Sequence, residues 1–284
     1  MNDHSLASFA AQKIWGPGQK IVSSKPLKGG MANQGVFRHR LAAGKTFIEK
    51  RTTSLNEVLF SQIVMSRSTL KKQLETIPTM FDLVEKDGQY YIFMEDVGHL
   101  KESVFKRAKF AKQIGGFIGN LHKEFETIRQ DYNVDRLDQS SHLDKILQIF
   151  PHKYKREEKI LQELVEILKR EQKVFSHNDI FIPNMGLREE SDANLSVFDF
   201  GLVGLNTPGA ELHHFLDRSP PKFFNSLVDE YCLVSGFDKG LVLAGANLYS
   251  GYRQLERSKN KTDPLDRFRK LKQSVILANQ AIMV

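Results

Sequence analysis

Between Val174 and Gly204 the chain reads VFSHNDIFIPNMGLREESDANLSVFDFGLVG, and no other stretch narrows its possible folds so far. Two pieces, Lys173–Ser176 and Leu195–Phe198, read as short strands. The loop between them carries His177, Asp179 and Asn184, and Asp199-Phe200-Gly201 follows the second strand at once. Asn184 stands five residues after Asp179, and Asp199 fifteen residues after Asn184. That order suits phosphoryl transfer from ATP. Asp179 faces the acceptor hydroxyl, while the Asn184 amide and the Asp199 carboxylate hold Mg²⁺ on the phosphates. Mg²⁺ takes hard oxygen ligands and keeps several waters, so one carboxylate and one amide are a sufficient protein share. A plainer reading leaves the same residues in a hairpin whose loop side chains cap backbone amides, as Asp and Asn commonly do.

Followed further, the stretch resembles the aminoglycoside phosphotransferase/choline kinase family. His177-Asn178-Asp179 and Asn184 match its motif directly, and the likeness runs on through Val197-Phe198-Asp199-Phe200, Gly204, Pro208 and Glu211-Leu212. Asn178 is similar to the choline-kinase side of the family, where an Asn can replace the usual Gly. Pro183 departs from the pattern, because the family more often has its Pro one position earlier. The resemblance implies an α+β, protein-kinase-like two-lobed fold, with an N-lobe antiparallel sheet plus helix and a mainly helical C-lobe. It assigns residues 1–96 to a nucleotide-binding lobe and residues 97–284 to a helical lobe for catalysis and acceptor binding.

Ser5–Ile14 has a helical pattern closed by Gly16-Pro17-Gly18. Ile21–Pro26 and Gly35–Leu41 alternate as strands do, with Gly29, Gly30 and Asn33 in the turn between them. Such a turn brings backbone N–H groups against phosphates or serves as a plain hairpin turn, and the Gly-x-Gly-x-x-Gly order is absent. Gly29-Gly30-Met31-Ala32-Asn33 is similar to the family's loop over the nucleotide. Thr46–Arg51 reads as a third strand, with Thr46, Ile48 and Lys50 on one face and Phe47, Glu49 and Arg51 on the other. Lys50 reaches the α/β-phosphates in the kinase arrangement; alternatively it is a solvated edge lysine, and Arg51 takes its role if the register slips. Thr53-Ser54 caps a helix from Leu55 to about Ser66. Glu57 lies in its first turn, where it suits the helix dipole or pairs with Lys50.

Ile77–Leu83 leads through Asp87-Gly88, a hairpin signal, into Tyr90–Glu95. Gln89–Gly98 resembles the family's connector between lobes, which implies that backbone groups at Glu95 and Val97 bind the adenine edge. Beyond it the pattern turns helical over Lys101–Glu126, Leu143–Phe150, Glu157–Glu171, Glu211–Leu216, Lys222–Val234, Lys239–Leu255 and Pro264–Met283. His122 ends a stretch similar to a family helix and is read as structural.

Apolar content of 40% and charge of 26% are those of a soluble globular domain. No apolar run reaches the length of a membrane span, and the N-terminus lacks the basic-then-apolar order of a signal peptide. Cys232 is the single cysteine, set in an apolar YCLV and expected to be a buried thiol, so the chain reads as cytoplasmic. A net charge of +7 attracts anions such as ATP and disfavours a polycationic acceptor. No basic run with interleaved aromatics points to nucleic acid. The reading is an ATP- and Mg²⁺-dependent O-phosphotransferase acting on the hydroxyl of a small molecule such as choline, ethanolamine, a sugar or an aminoglycoside. Asp179 aligns that hydroxyl and takes its proton, and His177 props the loop or acts directly as acid–base. Two rivals stand: a non-catalytic nucleotide-binding regulator, and a protein kinase, which the absence of Ala-Pro-Glu after Asp199-Phe200-Gly201 disfavours. The acceptor, the choice of ATP over GTP and the oligomeric state stay open.

Overall fold

The computed structural model describes residues 3–27, 35–67, 75–100, 102–132, 141–152, 154–188, 195–257 and 264–283. Packing divides the chain into two units, residues 1–100 with 183–202 and residues 101–182 with 203–284. Beside residues 1–96 the first unit thus holds residues 97–100 and 183–202.

In the first unit β1 (Ile21–Leu27), β2 (Gly35–Leu41), β3 (Thr46–Thr52), β4 (Met80–Lys86) and β5 (Gln89–Glu95) form an antiparallel sheet in the order β1-β2-β3-β5-β4. The β4–β5 turn is Asp87-Gly88, both in the left-handed region, as a tight hairpin between twisted strands requires. Helix α1 (Asp3–Trp15) covers one face, packing Leu6, Ala7, Ala10 and Ala11 with Phe47, Tyr91 and Phe93. Full burial of each large apolar side chain there contributes about 1.5–3 kcal/mol. Polar residues under the same cover satisfy one another. Ser24 donates to His39 at 2.8 Å, and His39 and Arg51 donate to Glu49 at 3.1 and 2.8 Å. Helix α2 (Leu55–Ser66) starts at Ser54, whose hydroxyl accepts from the Glu57 N–H at 3.4 Å.

The two short strands flanking the central loop do not pair with each other as a hairpin. In the second unit β7 (Val174–Ser176) pairs with β10 (Gly204–Asn206). In the first unit β9 (Leu195–Val197) pairs with β8 (Met185–Leu187), which also meets β6 (Gly98–His99). A side chain on Gly186 would place its Cβ 2.0 Å from the Gly98 carbonyl oxygen, so glycine permits that approach.

The second unit is mostly helical. The expected helical stretch Lys101–Glu126 resolves into a 3₁₀ turn, Glu102–Lys106, and helix α3 (Ala108–Tyr132). Helices α4 (His142–Ile149), α5 (Lys155–Arg170), α8 (Lys239–Arg257) and α9 (Pro264–Ile282) share a core that includes Leu143, Leu161, Leu248 and Leu271. Between them in sequence lie α6 (His213–Arg218) and α7 (Pro221–Ser235). Cys232, expected to be buried, is only half-buried on α7; burial still pushes its thiol up to about 11. Among the described residues no helix is long and apolar enough to cross a membrane.

Candidate active site

In the first unit, β3 and α2 bring Lys50 and Glu57 together. The Lys50 ammonium donates to Glu57 Oε1 and, at 2.7 Å, to Asp199 Oδ1. Lys50 is 4% exposed and Glu57 2%, whereas the Asp199 side chain keeps 29% of its surface. Burial alone lowers an ammonium pKa, but the Glu57 and Asp199 carboxylates outweigh it, so Lys50 is held above its ordinary value and charged. The triangle is braced from behind. Ser54 Oγ donates to the Gly201 carbonyl at 3.0 Å, and Phe60 of α2 stacks on Phe200 at 4.0 Å. Asp199 itself has φ of 66°, a conformation that few non-glycine residues adopt.

The β8–β9 register then brings Asn184 beside Asp199. Met185 faces Val197, and the Asn184 carbonyl accepts from the Phe198 N–H at 3.0 Å. One amide and one partly exposed carboxylate are hard oxygen donors of the kind Mg²⁺ takes. Among the described residues no group of three His, Cys, Asp or Glu could hold a metal, so a metal at this pair would complete its shell from phosphate and water.

The second unit holds Asp179. Asn178, just before it, has φ of 63°; its amide donates to the Ser176 carbonyl at 3.3 Å and its oxygen accepts from Asn206 at 2.7 Å. His177 is fully buried, and its Nδ1 accepts from the Asp179 N–H at 3.3 Å. The loop is tied down by Glu211, whose Oε2 accepts from the His177 N–H at 3.0 Å and whose Oε1 accepts from His122 at 2.6 Å. Tyr231 donates to the other nitrogen of His122 at 3.0 Å. Burial, then the Glu211 charge, pushes the Tyr231 hydroxyl well above its ordinary value. His122 thus sits in a buried structural network, and His177 contributes to the fixed shape of the loop.

The carboxylate of Asp179 has a partner that the sequence did not reveal. His214 Nε2 donates to Asp179 Oδ1 at 3.1 Å. His214 lies on α6, three residues after Glu211, and the pair is separated by 35 positions, so no local spacing announces it.

Of the other residues expected at a nucleotide, Gly29, Gly30 and Asn33 lie outside the described residues. The Glu95 N–H is spent on the Thr79 carbonyl at 2.9 Å, and its carboxylate accepts from the Thr79 N–H at 2.9 Å and from Arg188 at 3.1 Å. Val97 is buried. Between them, Asp96 Oδ1 accepts from Arg38 Nη2 at 2.8 Å, an ion pair that ties this segment to β2. Arg51 shares the covered face with Glu49, and its guanidinium stacks 4.6 Å over Phe37.

Residues 23–243 match the APH sequence model, the phosphotransferase enzyme family, and the chain belongs to that family. It is a phosphotransferase, and its fold is the protein-kinase-like one. The GDP and kanamycin complex of APH(2")-IIia superposes with a TM-score of 0.61 at 14% identity, covering 98% of each chain. The macrolide 2'-phosphotransferase MphH from Brachybacterium faecium gives 0.59 at 14% identity over 94% of this chain and 96% of that one. The amicoumacin kinase hAmiN, solved in complex with AMP-PNP, Ca²⁺ and Ami, gives 0.57 at 12% identity over 99% and 94%. No curated protein matches the chain in sequence.

Proposed function

We propose that this protein transfers the terminal phosphoryl group of ATP to a hydroxyl of a small molecule. The observation that carries the reading is Lys50, buried and charged between Glu57 and Asp199, in a chain that also presents Asp179 on a braced loop. Phosphoryl transfer asks little covalent chemistry of the protein, so positioning and charge neutralisation supply the rate. Lys50 contacts the nucleotide phosphates, and Glu57 keeps its ammonium from turning away. Asn184 and Asp199 would hold Mg²⁺, which when bound neutralises phosphate charge. Asp179 aligns the acceptor hydroxyl and takes its proton late, with His214 fixing the carboxylate's orientation. His177 acts by shaping the loop. The complexes with GDP and with AMP-PNP make both nucleotides worth assaying, since related folds hold either base. A cytoplasmic location fits the nucleotide requirement.

The test is Asp179→Asn, which keeps size and polarity but removes the charge. Nucleotide binding by calorimetry should survive within a few-fold, while product formation should fall by about 10²-fold or more, the scale of general-base loss. Equal loss of binding and transfer would make Asp179 a metal or structural residue instead.

A further inference from the structure

Beside Asp179 the second unit gathers cations that have no carboxylate of their own. Arg38, Arg51 and Arg188 are each paired with an acid. Arg218 and Arg253 are not: among the described residues neither makes an ion pair, and Arg253 Nε is buried without a hydrogen-bond partner. Arg218, at the end of α6, is held 4.9 Å over the ring of Phe181, two residues after Asp179. Phe181 in turn lies 5.4 Å from His214, which donates to Asp179. Arg253 lies on α8 one turn after Tyr249, whose ring is 4.8 Å from His213. Burial, then His214, Arg253 and Arg257, hold His213 well below its ordinary value, so this histidine is neutral and yields the positive field to the arginines. Tyr249 is raised chiefly by burial, with Arg253 opposing and Asp179 adding to the shift. The nearby acid, Asp217, is occupied: it accepts from Ser250 at 2.6 Å and from Gln254 at 3.2 Å.

The half-buried Arg253 guanidinium, with its Nε lacking an acceptor, is costly unless an anion arrives from outside, and exposed Arg218 adds a second free charge. Resting on the reading of Asp179 as the residue that meets the acceptor, we propose that the acceptor is an anionic hydroxyl compound, its carboxylate or phosphate received by Arg218 and Arg253. A polycationic acceptor meets the wrong sign here.

The experiment compares glucuronate, glucose 6-phosphate, glucose and glucosamine as acceptors, with nucleotide-dependent product formation as readout. The carboxylate and phosphate members separate the two sources of the anion. At least one anionic member should exceed glucose and glucosamine in kcat/KM by about tenfold or more, the scale of a charge-assisted hydrogen bond. Arg218→Gln and Arg253→Gln should raise that acceptor's KM about tenfold, leave the nucleotide KM within twofold and be partly rescued by Arg218→Lys. Arg218 is exposed, so its variants fold even if Arg253→Gln does not. Preference for glucosamine, or arginine variants without effect on acceptor KM, overturns the inference and leaves the phosphotransferase reading intact. Wild-type transfer by Asp179→Asn overturns that reading and the inference with it. If none of the four is turned over, calorimetric titration of the same compounds decides: anion-selective binding lost in Arg218→Gln supports the inference, and equal or absent binding of the anions overturns it.

Discussion

Lys50 and Arg51 stand side by side in β3, yet only Lys50 reaches Asp199. Strand alternation sends Arg51 to the opposite face of the sheet, where Glu49 and the rings of Phe37 and Tyr91 hold it. Lys50→Ala should therefore cut transfer by about 10²-fold or more, because it removes a preorganised cation from the phosphates. Arg51→Ala should cost mainly stability, read as a lowered melting temperature with turnover within a few-fold. A greater turnover loss in Arg51→Ala would mean the wrong cation has been assigned. Cys232 supports a pH prediction. Its thiol, raised to about 11 chiefly by burial, holds about a hundredfold less thiolate at pH 8 than an ordinary thiol of 9.0. Carboxamidomethylation of the native protein should be slow near neutrality and rise steeply only as pH approaches 11, with mass spectrometry as the check. Half-maximal rate near pH 9 would refute the burial cause. At this scale the motif residues were readable because Asp and Asn announce special backbone. Asn178 stands where the resembling family has Gly, and its φ of 63° explains why those two residues exchange there. His214, Arg218 and Arg253 were not readable, since what makes them notable is tertiary proximity and the lack of a partner.

Helix α3 shows what a packing element contributes to the site, with its Phe125 stacked on Phe175 of β7 at 3.8 Å. It carries Gly115 and Gly119 on the stripe facing α7, and His122 follows on the same helix to grip Glu211. A Cβ on Gly115 would lie 2.4 Å from the Leu227 carbonyl oxygen, and one on Gly119 would lie 2.7 Å from Val234 Cγ1. Gly115→Ala gains helix propensity but must push α3 off α7, and overpacking of that kind costs about 1–3 kcal/mol. The variant should melt earlier by thermal denaturation and lose transfer in proportion as His122 shifts. A melting temperature equal to or above wild type would show that the helices yield without cost. Long elements such as α2, α5 and α8 were legible from their apolar period, to within a few residues at each end. The three-residue strands β8 and β10 were not. Met185-Gly186-Leu187 and Gly204-Leu205-Asn206 are too short to alternate, and their pairing depends on partners far along the chain.

At the scale of the whole chain, packing and proposed chemistry divide along the same line. Lys50, Glu57, Asn184 and Asp199 belong to the first unit, although Asn184 and Asp199 arrive from the middle of the sequence. Asp179, His214, Arg218 and Arg253 belong to the second. The chain passes from one unit to the other between Ile182 and Pro183, so the motif that reads as one stretch serves both. A ligand that binds one native unit stabilises it against local opening by up to about 2.7 kcal/mol at a hundredfold excess over Kd. Hydrogen exchange should then resolve the two ligands. Nucleotide with Mg²⁺ should slow amides of β3, α2 and the described parts of residues 183–202. An anionic acceptor should slow residues 174–182, α6 and the C-terminal half of α8. If nucleotide protects α6 and α8 but leaves residues 183–202 unchanged, the nucleotide and acceptor roles are assigned to the wrong units. Protection by nucleotide of 46–66 and 183–202, with the acceptor acting on the other set, is the outcome the residue roles require.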